Sequence, residues 1–591
     1  MNRRDALAAG LLAVGLTAML TPFARLGVDP HHDGIMLKPA LDVLSGQVLF
    51  RDTFMQYGAL SCYLQAAALW LQPTLLSIRL LAVAAYAVTL LFLYAAWREI
   101  LPRSLTVVAC GLFILFIPDY EKNWLDQYWM MLPWSSVFAL MFESLGLYAM
   151  FRVIRGEQPQ RWGLMLGLAC ACVLWCRQPV GVIMAGTLVV VGLALHWTGW
   201  APGGHSKRSI AVATVGGFVA VNTILLGGIG FSGALPEWWY QNFVWPGKWA
   251  QGSVNVTWHD FVRVFVHPAA AAIQLVLLLV AAGPVILRRF RPDLPKRAVV
   301  IYFLCAAGVF VWLRAWILPA LALREGGWTA LFPVLILLQA VASIGQAFVG
   351  RGRDRPVEYY LVAAWAALSL GSLLQYYPVP DSWHLLWSLG PGFGLVTLVC
   401  WRWLRWPALV LTAVMTVAFL PAVFVKFASA RQSLARPLVT LDRPAVLRGI
   451  RVSAEQARSF GEIDGCLEAI ARHQPDLPAA LIGNDAMFLC FVKNLANPTP
   501  YFVTWPGLAD NADNRKRWAY IQRVRPLMFL HRARWEAVDD FYRRAHYLPV
   551  LYSKEEALEI ALPRELADAM GLKAYGGAPA PAGPGQEKPN P

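Results

Sequence analysis

The sequence is poor in charge: Asp, Glu, Lys and Arg make up 15% of its 591 residues, against about 25% in ordinary soluble domains. That scarcity excludes a water-soluble multidomain enzyme. It also excludes a disordered chain, which needs high charge and few apolar residues. Cysteine is scarce too, with nine residues, so a disulfide-knit secreted scaffold is excluded. Cys170, Cys172 and Cys176 do not have zinc-ligand spacing, and Cys466 and Cys490 form the one pair placed to bridge in an oxidising exterior. No Gly-rich phosphate loop and no repeat of solenoid period is present.

What fills the chain is apolar. Hydrophobic residues reach 58% and the mean hydropathy is +0.48. The 26 tryptophans suit aromatic belts at two membrane interfaces. Runs of about 17–25 apolar residues, enough to cross a bilayer as helices, fall at 6–26, 76–97, 104–118, 132–151, 162–177, 180–198, 209–231, 267–287, 298–316, 328–348, 358–376, 385–401 and 406–426. The two runs around Arg177 have one long broken helix as their alternative. Arg3 and Arg4 followed by an apolar run imitate a signal peptide, but no small-x-small cleavage site follows, so an uncleaved first span is expected.

Charge placement gives the topology. The formal net charge is +15, of which residues 1–426 carry +12 and the rest +3. The excess therefore belongs to the membrane half, and nucleic acid is not an expected partner. With Arg3 and Arg4 cytoplasmic, the short inner loops collect Arg98, Arg103, Arg152, Arg155, Arg161, Lys207, Arg208, a basic group at 288–297, Arg351, Arg353, Arg355, Arg402 and Arg405. That bias matches an odd number of spans and places everything after Lys426 outside. The expected organisation is a membrane domain over 1–426, a small α/β domain over 427–575, and a disordered Pro/Gly/Ala-rich tail over 576–591. In the α/β domain, 479–482, 487–492 and 526–530 read as strands, and 455–473 and 534–544 as helices.

Two external loops are long. In residues 27–75, the stretches 36–44 and 58–71 are apolar at helical spacing and read as short interfacial helices. In residues 231–267, Trp238, Trp239, Tyr240, Trp245 and Trp249 read as an interfacial belt, or as a platform for a sugar or lipid headgroup. The first loop carries the densest chemistry: Asp29, His31, His32 and Asp33 lie just beyond the first span. Ionisable groups beside a membrane are costly to keep and mark functional sites.

This loop, with Phe50-Arg-Asp-Thr-Phe-Met-Gln-Tyr-Gly58 and Leu75-Leu-Ser-Ile-Arg79, resembles the polyprenyl-phosphate-dependent glycosyltransferases of the GT-C superfamily. The likeness is to the protein mannosyltransferase and lipid A aminoarabinose transferase group; it is close in motif over residues 28–80 and extends in architecture to the whole chain. It implies a polytopic α-helical fold of about 13 transmembrane helices with a small C-terminal α/β extramembrane domain. It further implies a bacterial inner-membrane location, with the N-terminus cytoplasmic and the C-terminal domain periplasmic. Relatives often carry Asp-Glu where this chain has His32-Asp33-Gly34. The catalytic carboxylate is thus expected at Asp33, with Asp29 as the alternative.

The implied donor is a polyprenyl-phosphate sugar, and the acceptor a lipid, glycan or protein; membrane lipids are the surrounding partners. Transfer needs a base for the acceptor and cationic or donor groups for the departing phosphate. His32, Lys38, Arg51, Arg79 and Arg177 are candidate substrate-binding residues, Arg being suited to bidentate phosphate contact. Glu121 in the second external loop joins Asp119 and Asp126 as a candidate second acidic group. Asp381 and His384 match the polar motif that relatives carry in the last external loop, while Arg314 and Arg324 are weaker phosphate candidates. No cofactor is certain; His31 and Asp119 are the candidate ligands for a divalent metal ion. Glu143, about two turns inside a span, requires a partner or stays protonated. The competing functions are a transporter or flippase of lipid-linked saccharides and a non-catalytic envelope assembly factor.

Overall fold

The computed structural model describes residues 2–117, 130–197, 200, 205–248, 356–373, 382–404, 407–492, 499–503, 511–531 and 545–575. The expected spans at 267–287, 298–316 and 328–348, the expected helix at 534–544 and the tail lie outside the described residues, as do Asp119, Glu121, Asp126, Trp249, Arg314, Arg324 and Asp381.

Among the described residues, five helices are long and apolar enough to cross a membrane: α1 (Arg3–Ala24), α4 (Leu75–Trp97), α6 (Ser135–Arg155), α8 (Gln178–Trp197) and α9 (Lys207–Phe231). At about 1.5 Å per residue they run roughly 30–37 Å, matching a hydrocarbon core of about 30 Å. Between them come α2 (His32–Leu44), α3 (Ala59–Leu71), α5 (Arg103–Phe116) and α7 (Pro159–Cys176). After α9 follow α10 (Leu235–Trp239), α11 (Val357–Leu373), α12 (Ser382–Leu389), α13 (Gly392–Leu404) and α14 (Ala408–Leu434). The expected span at 385–401 is therefore two helices. They part at Gly390–Pro391, and the Pro391 carbonyl accepts the indole N–H of Trp97 (3.3 Å) and of Trp365 (2.7 Å).

Arg177 stands in an extended conformation between α7 and α8, so they are two helices, not one. They fold back so tightly that a Cβ on Gly181 would meet the Leu174 backbone. Gly167 and Gly217 do the same between α7 and α9, each lying against a carbonyl of the other helix. Small residues are what let membrane helices approach this closely.

Polar pins hold both ends of the bundle. At one end Asp5 accepts from Arg98 (3.0 Å) and Arg103 (2.7 Å), and Arg155 pairs with Glu99 (2.6 Å). Mid-bundle, Ser372 Oγ donates to Glu143 Oε1 at 2.5 Å. The end of α5 is capped from α14 by Lys426, which donates to the Leu115 carbonyl at 2.8 Å. Because α14 continues to Leu434, the expected boundary at 427 falls inside a helix. Hydropathy ends at Lys426, but residues 427–434 contain no Pro or Gly to stop helical backbone.

The C-terminal part holds a short ribbon, β1 (Val439–Thr440) with β2 (Arg451–Val452), helix α15 (Ala454–His473), and a four-stranded sheet. The sheet runs β3 (Ala479–Ile482), β4 (Leu527–His531), β6 (Leu558–Pro563), β5 (Tyr547–Ser553); β3 and β4 are parallel and the other pairs antiparallel. α16 (Asn511–Val524) precedes β4. The expected strand at 487–492 is instead a 3-10 turn, Ala486–Phe491. A short all-apolar run signals burial without distinguishing helix from strand. Cys466 and Cys490 are separate thiols. The apolar core is continuous from the bundle into this part, with Ile35 and Met36 of α2 in the same cluster as Phe460, Phe488 and Phe529.

Candidate active site

The first loop and the C-terminal part are stitched together backbone to backbone. Gly27 N–H donates to the Arg451 carbonyl (2.9 Å), Met487 N–H to Pro30 (3.1 Å), and Phe54 N–H to Pro500 (2.8 Å). Gly34, the residue after the acidic cluster, makes this docking possible. A Cβ there would lie 2.7 Å from the Ala486 carbonyl carbon and closer still to the Met487 amide. Gly58 plays the same part beneath the loop, pressed on the Trp175 carbonyl with its N–H on Cys176 (3.1 Å). Between them Phe50, fully buried at φ +70°, makes a left-handed turn that few bulky residues adopt. Gln241 braces the turn, donating to the Phe50 carbonyl (2.8 Å) and accepting from Met55 N–H (3.2 Å).

Asp33, the favoured sequence candidate for the base, is fully buried. Arg79 holds both its oxygens, Nη2 to Oδ2 at 2.5 Å and Nε to Oδ1 at 3.2 Å, and Asp29 N–H adds 2.9 Å to Oδ2. Arg79 is itself sealed, its Nη1 donating to the carbonyls of Ala24, Leu26 and Gly27 at 3.3, 2.9 and 3.0 Å. Burial pushes the Asp33 carboxyl up against the pull of that guanidinium. The pair fastens the start of α2 to the start of α4, and the Arg79 Nη1 bonds tie both to the end of α1.

Asp29 is placed differently. Its Oδ1 accepts the backbone N–H of His31 (3.0 Å) and of His32 (2.8 Å), and its Oδ2 lies 2.7 Å from His32 Nδ1. Burial works to raise this carboxyl, but the His32 ring and amide outweigh it and hold it at about 2. Burial works to lower His32, and Asp29 reverses the balance, raising it above its ordinary value. The His32 side chain keeps 30% of its surface exposed, against 9% for Asp29. His31 faces the other way, its Nδ1 3.0 Å from the Asn484 carbonyl, and burial takes it down to about 4.

Residues far along the sequence complete the cluster. Asp485 lies 3.0 Å from His531 Nε2, and burial with the nearby Asp29 charge pushes its carboxyl up to about 7. Asn484 and Asp485 follow β3 and His531 ends β4, so both come from the carboxyl ends of parallel strands, the usual address of functional groups on an α/β sheet. Gly483 between them has no room for a Cβ, which would sit 2.6 Å from that of His531. Sequence reasoning did not single these residues out. Their signal is faint: polar residues just past a short apolar strand.

From His32 an aromatic wall leads to Arg177. The His32 and Trp134 rings are 5.1 Å apart, Trp134 meets Tyr57 at 6.0 Å and Trp387 at 6.3 Å, and the Arg177 guanidinium lies 5.3 Å from the Trp387 ring. Arg177 also bonds Ser136 Oγ. Burial pushes the Tyr57 phenol up to about 12, so it stays a proton donor.

The other sequence candidates divide. Lys38 is fully buried and paired with Asp42, to which Thr53 also donates at 2.6 Å, with the Phe502 ring 5.2 Å from its ammonium. It is closed to a phosphate. Arg51 is exposed but forked onto Asp52 (2.8 and 2.9 Å), with a third bond to the Ser232 carbonyl (2.8 Å). His384 belongs to α12. The aromatic belt is split: Trp238 stacks on Trp175 at 5.5 Å and Trp245 is buried on Phe54 at 5.4 Å, while Trp239 is exposed. As for metal, no three carboxylate, imidazole or thiol groups converge among the described residues. The Asp29 oxygens are already engaged by His31 and His32, a poor fit to a divalent ion.

No family model and no curated protein matches the chain. Among solved structures it is similar to the Archaeoglobus fulgidus oligosaccharyltransferase in complex with zinc and sulfate, at 10% identity and TM-score 0.46, covering 94% of this chain and 72% of that one. It is also similar to the oligosaccharyltransferase AglB from the same organism in complex with an inhibitory peptide and a dolichol-phosphate, at 9% and 0.46, covering 95% and 74%. A third similar structure is ArnT from Cupriavidus metallidurans bound to undecaprenyl phosphate, at 14% and 0.40, covering 94% and 97%. AglB and ArnT are both members of the GT-C superfamily.

Proposed function

We propose that this chain is a GT-C-type glycosyltransferase of about thirteen spans in the bacterial inner membrane, taking a sugar from a polyprenyl-phosphate carrier at the periplasmic face. The observation that carries this reading is the meeting of an Asp–His pair, an aromatic wall and Arg177 at one end of an apolar bundle. Histidine is the side chain whose ordinary range is suited to proton transfer near neutrality, and Asp29 raises His32 within the site. Asp29 holds Nδ1 and so directs Nε2 towards proton transfer, the division of labour of a carboxylate–imidazole pair.

In this reading His32 Nε2 takes the proton of the acceptor group as its oxygen or nitrogen bonds to the anomeric carbon. The bond from that carbon to the phosphate oxygen breaks, and polyprenyl phosphate leaves with the electron pair. Arg177 meets the developing phosphate charge and Tyr57 supplies a hydrogen bond. Asp33 and Arg79 position the loop rather than touch substrate. Arg51 is engaged by Asp52.

The test is transfer from a polyprenyl-phosphate sugar by the purified, reconstituted protein, with Asp29→Asn and His32→Gln beside the wild type. Loss of transfer in both, with normal folding, is the expected result; unchanged transfer in both overturns the assignment. Movement of saccharide across vesicles without a new glycosidic bond establishes the flippase alternative instead.

A further inference from the structure

A cavity that shares no lining residue with the Asp29–His32 pair lies between the α10 segment and the C-terminal part. Its volume is about 330 Å³, and Glu237, Tyr240, Thr499, Tyr501, Asp513 and Lys516 line it. That size is at the lower end of small-molecule sites, which run from roughly 300 to 1,000 Å³. Two of its polar atoms have no hydrogen-bond partner among the described residues: Thr499 Oγ1 and Glu237 Oε2. Thr499 is 6% exposed. A buried hydroxyl or carboxylate oxygen without a partner costs free energy, and native structures seldom keep one without reason.

The surrounding chemistry narrows what would satisfy them. The Tyr240 and Tyr501 rings, 6.4 Å apart, form an aromatic corner, and each phenol pairs an apolar face with a polar tip. Asp513 is countered by Lys516 at 3.7 Å and Glu237 feels the Arg51 charge, with the Lys248 ammonium 4.9 Å from the Tyr240 ring. A cation would duplicate those ammonium groups, and an anion would meet Glu237. An uncharged ring with hydroxyl groups on its edge and C–H bonds on its face fits both the orphaned oxygens and the aromatic corner.

We propose that this cavity is a saccharide-binding subsite, in which Glu237 accepts from and Thr499 exchanges hydrogen bonds with sugar hydroxyls. It is tied to the first loop: Phe54 N–H donates to the Pro500 carbonyl, and Phe502, two residues on, packs on Lys38 of α2. A ring held here sits on the same scaffold as the Asp29–His32 pair. The binding claim stands apart from the transfer reaction, because none of the lining residues is assigned a role in it.

The test uses the full chain in nanodiscs and saturation-transfer NMR with the methyl glycosides of glucose, galactose, mannose and glucosamine. At least one is expected to bind, with Thr499→Val and Glu237→Gln each weakening it roughly tenfold and Thr499→Ser retaining it. Asp29→Asn is expected to abolish transfer and leave this binding intact, which separates the two proposals. Absence of binding by all four glycosides overturns the inference. So does binding that survives both Thr499→Val and Glu237→Gln in variants that melt like the wild type.

Discussion

Replacing Asp33 with Asn separates a positioning role from a catalytic one. The carboxylate receives two guanidinium bonds (2.5 and 3.2 Å) and one backbone N–H (2.9 Å), with both partners of the ion pair fully buried. An amide keeps the shape but presents an NH2 group where an acceptor is required, leaving the Arg79 charge with only the three carbonyls of residues 24–27. Removing one partner of a buried pair costs about 3–5 kcal/mol, a fall of roughly two to three and a half powers of ten in the population holding the loop in place. The variant should melt well below the wild type in detergent. Amide hydrogen exchange should accelerate across residues 25–34, with the Asp29 N–H among the first to go. Asp29→Asn should also lower melting, because it removes the charge that pairs with His32, while abolishing transfer in protein that remains folded. An Asp33→Asn protein that melts and exchanges like the wild type yet has no turnover would refute this reasoning and return the base to Asp33.

Gly34→Ala is expected to push the 3-10 turn at 486–491 off α2, costing about 1–3 kcal/mol from overpacking; cross-linking between residues near 30 and 487 would report the separation, and undiminished cross-linking would contradict it. Lys38→Met should destabilise by about 3–5 kcal/mol because it strands Asp42, and adding Asp42→Leu should recover much of the loss; a phosphate-binding role would instead lower donor affinity without affecting melting. The pH dependence has two windows. Asp29, lowered to about 2, contributes stability that is present above its unfolded value of about 3.9 and lost as pH falls towards 2. His32 is raised, so its stabilisation is complete below about 6.5 and lost as pH rises through its higher folded value. Turnover should rise over that same upper range as Nε2 becomes free to accept a proton, and His32→Gln should erase both the activity rise and the upper stability window in melting curves.

Sequence by itself determined that the chain is apolar enough to cross a membrane repeatedly, where its basic residues gather, and that residues 29–33 carry dense chemistry. Those properties are local, since hydropathy, charge spacing and helical period are written over windows of ten to twenty residues. It likewise located α15, β3 and β4, whose patterns are strong. What tertiary structure alone decided is the role of each ionisable group. Asp29 and Asp33 are four residues apart and chemically alike, but one faces Arg79 in a sealed pocket and the other holds a half-open imidazole. Lys38 and Arg177 look equally able to hold a phosphate until Asp42 is seen beside the first. The Asp485–His531 pair reaches the loop across more than 450 residues. No local pattern carries such information, because burial and the identity of the facing charge set a group's proton affinity, and both are properties of the folded chain.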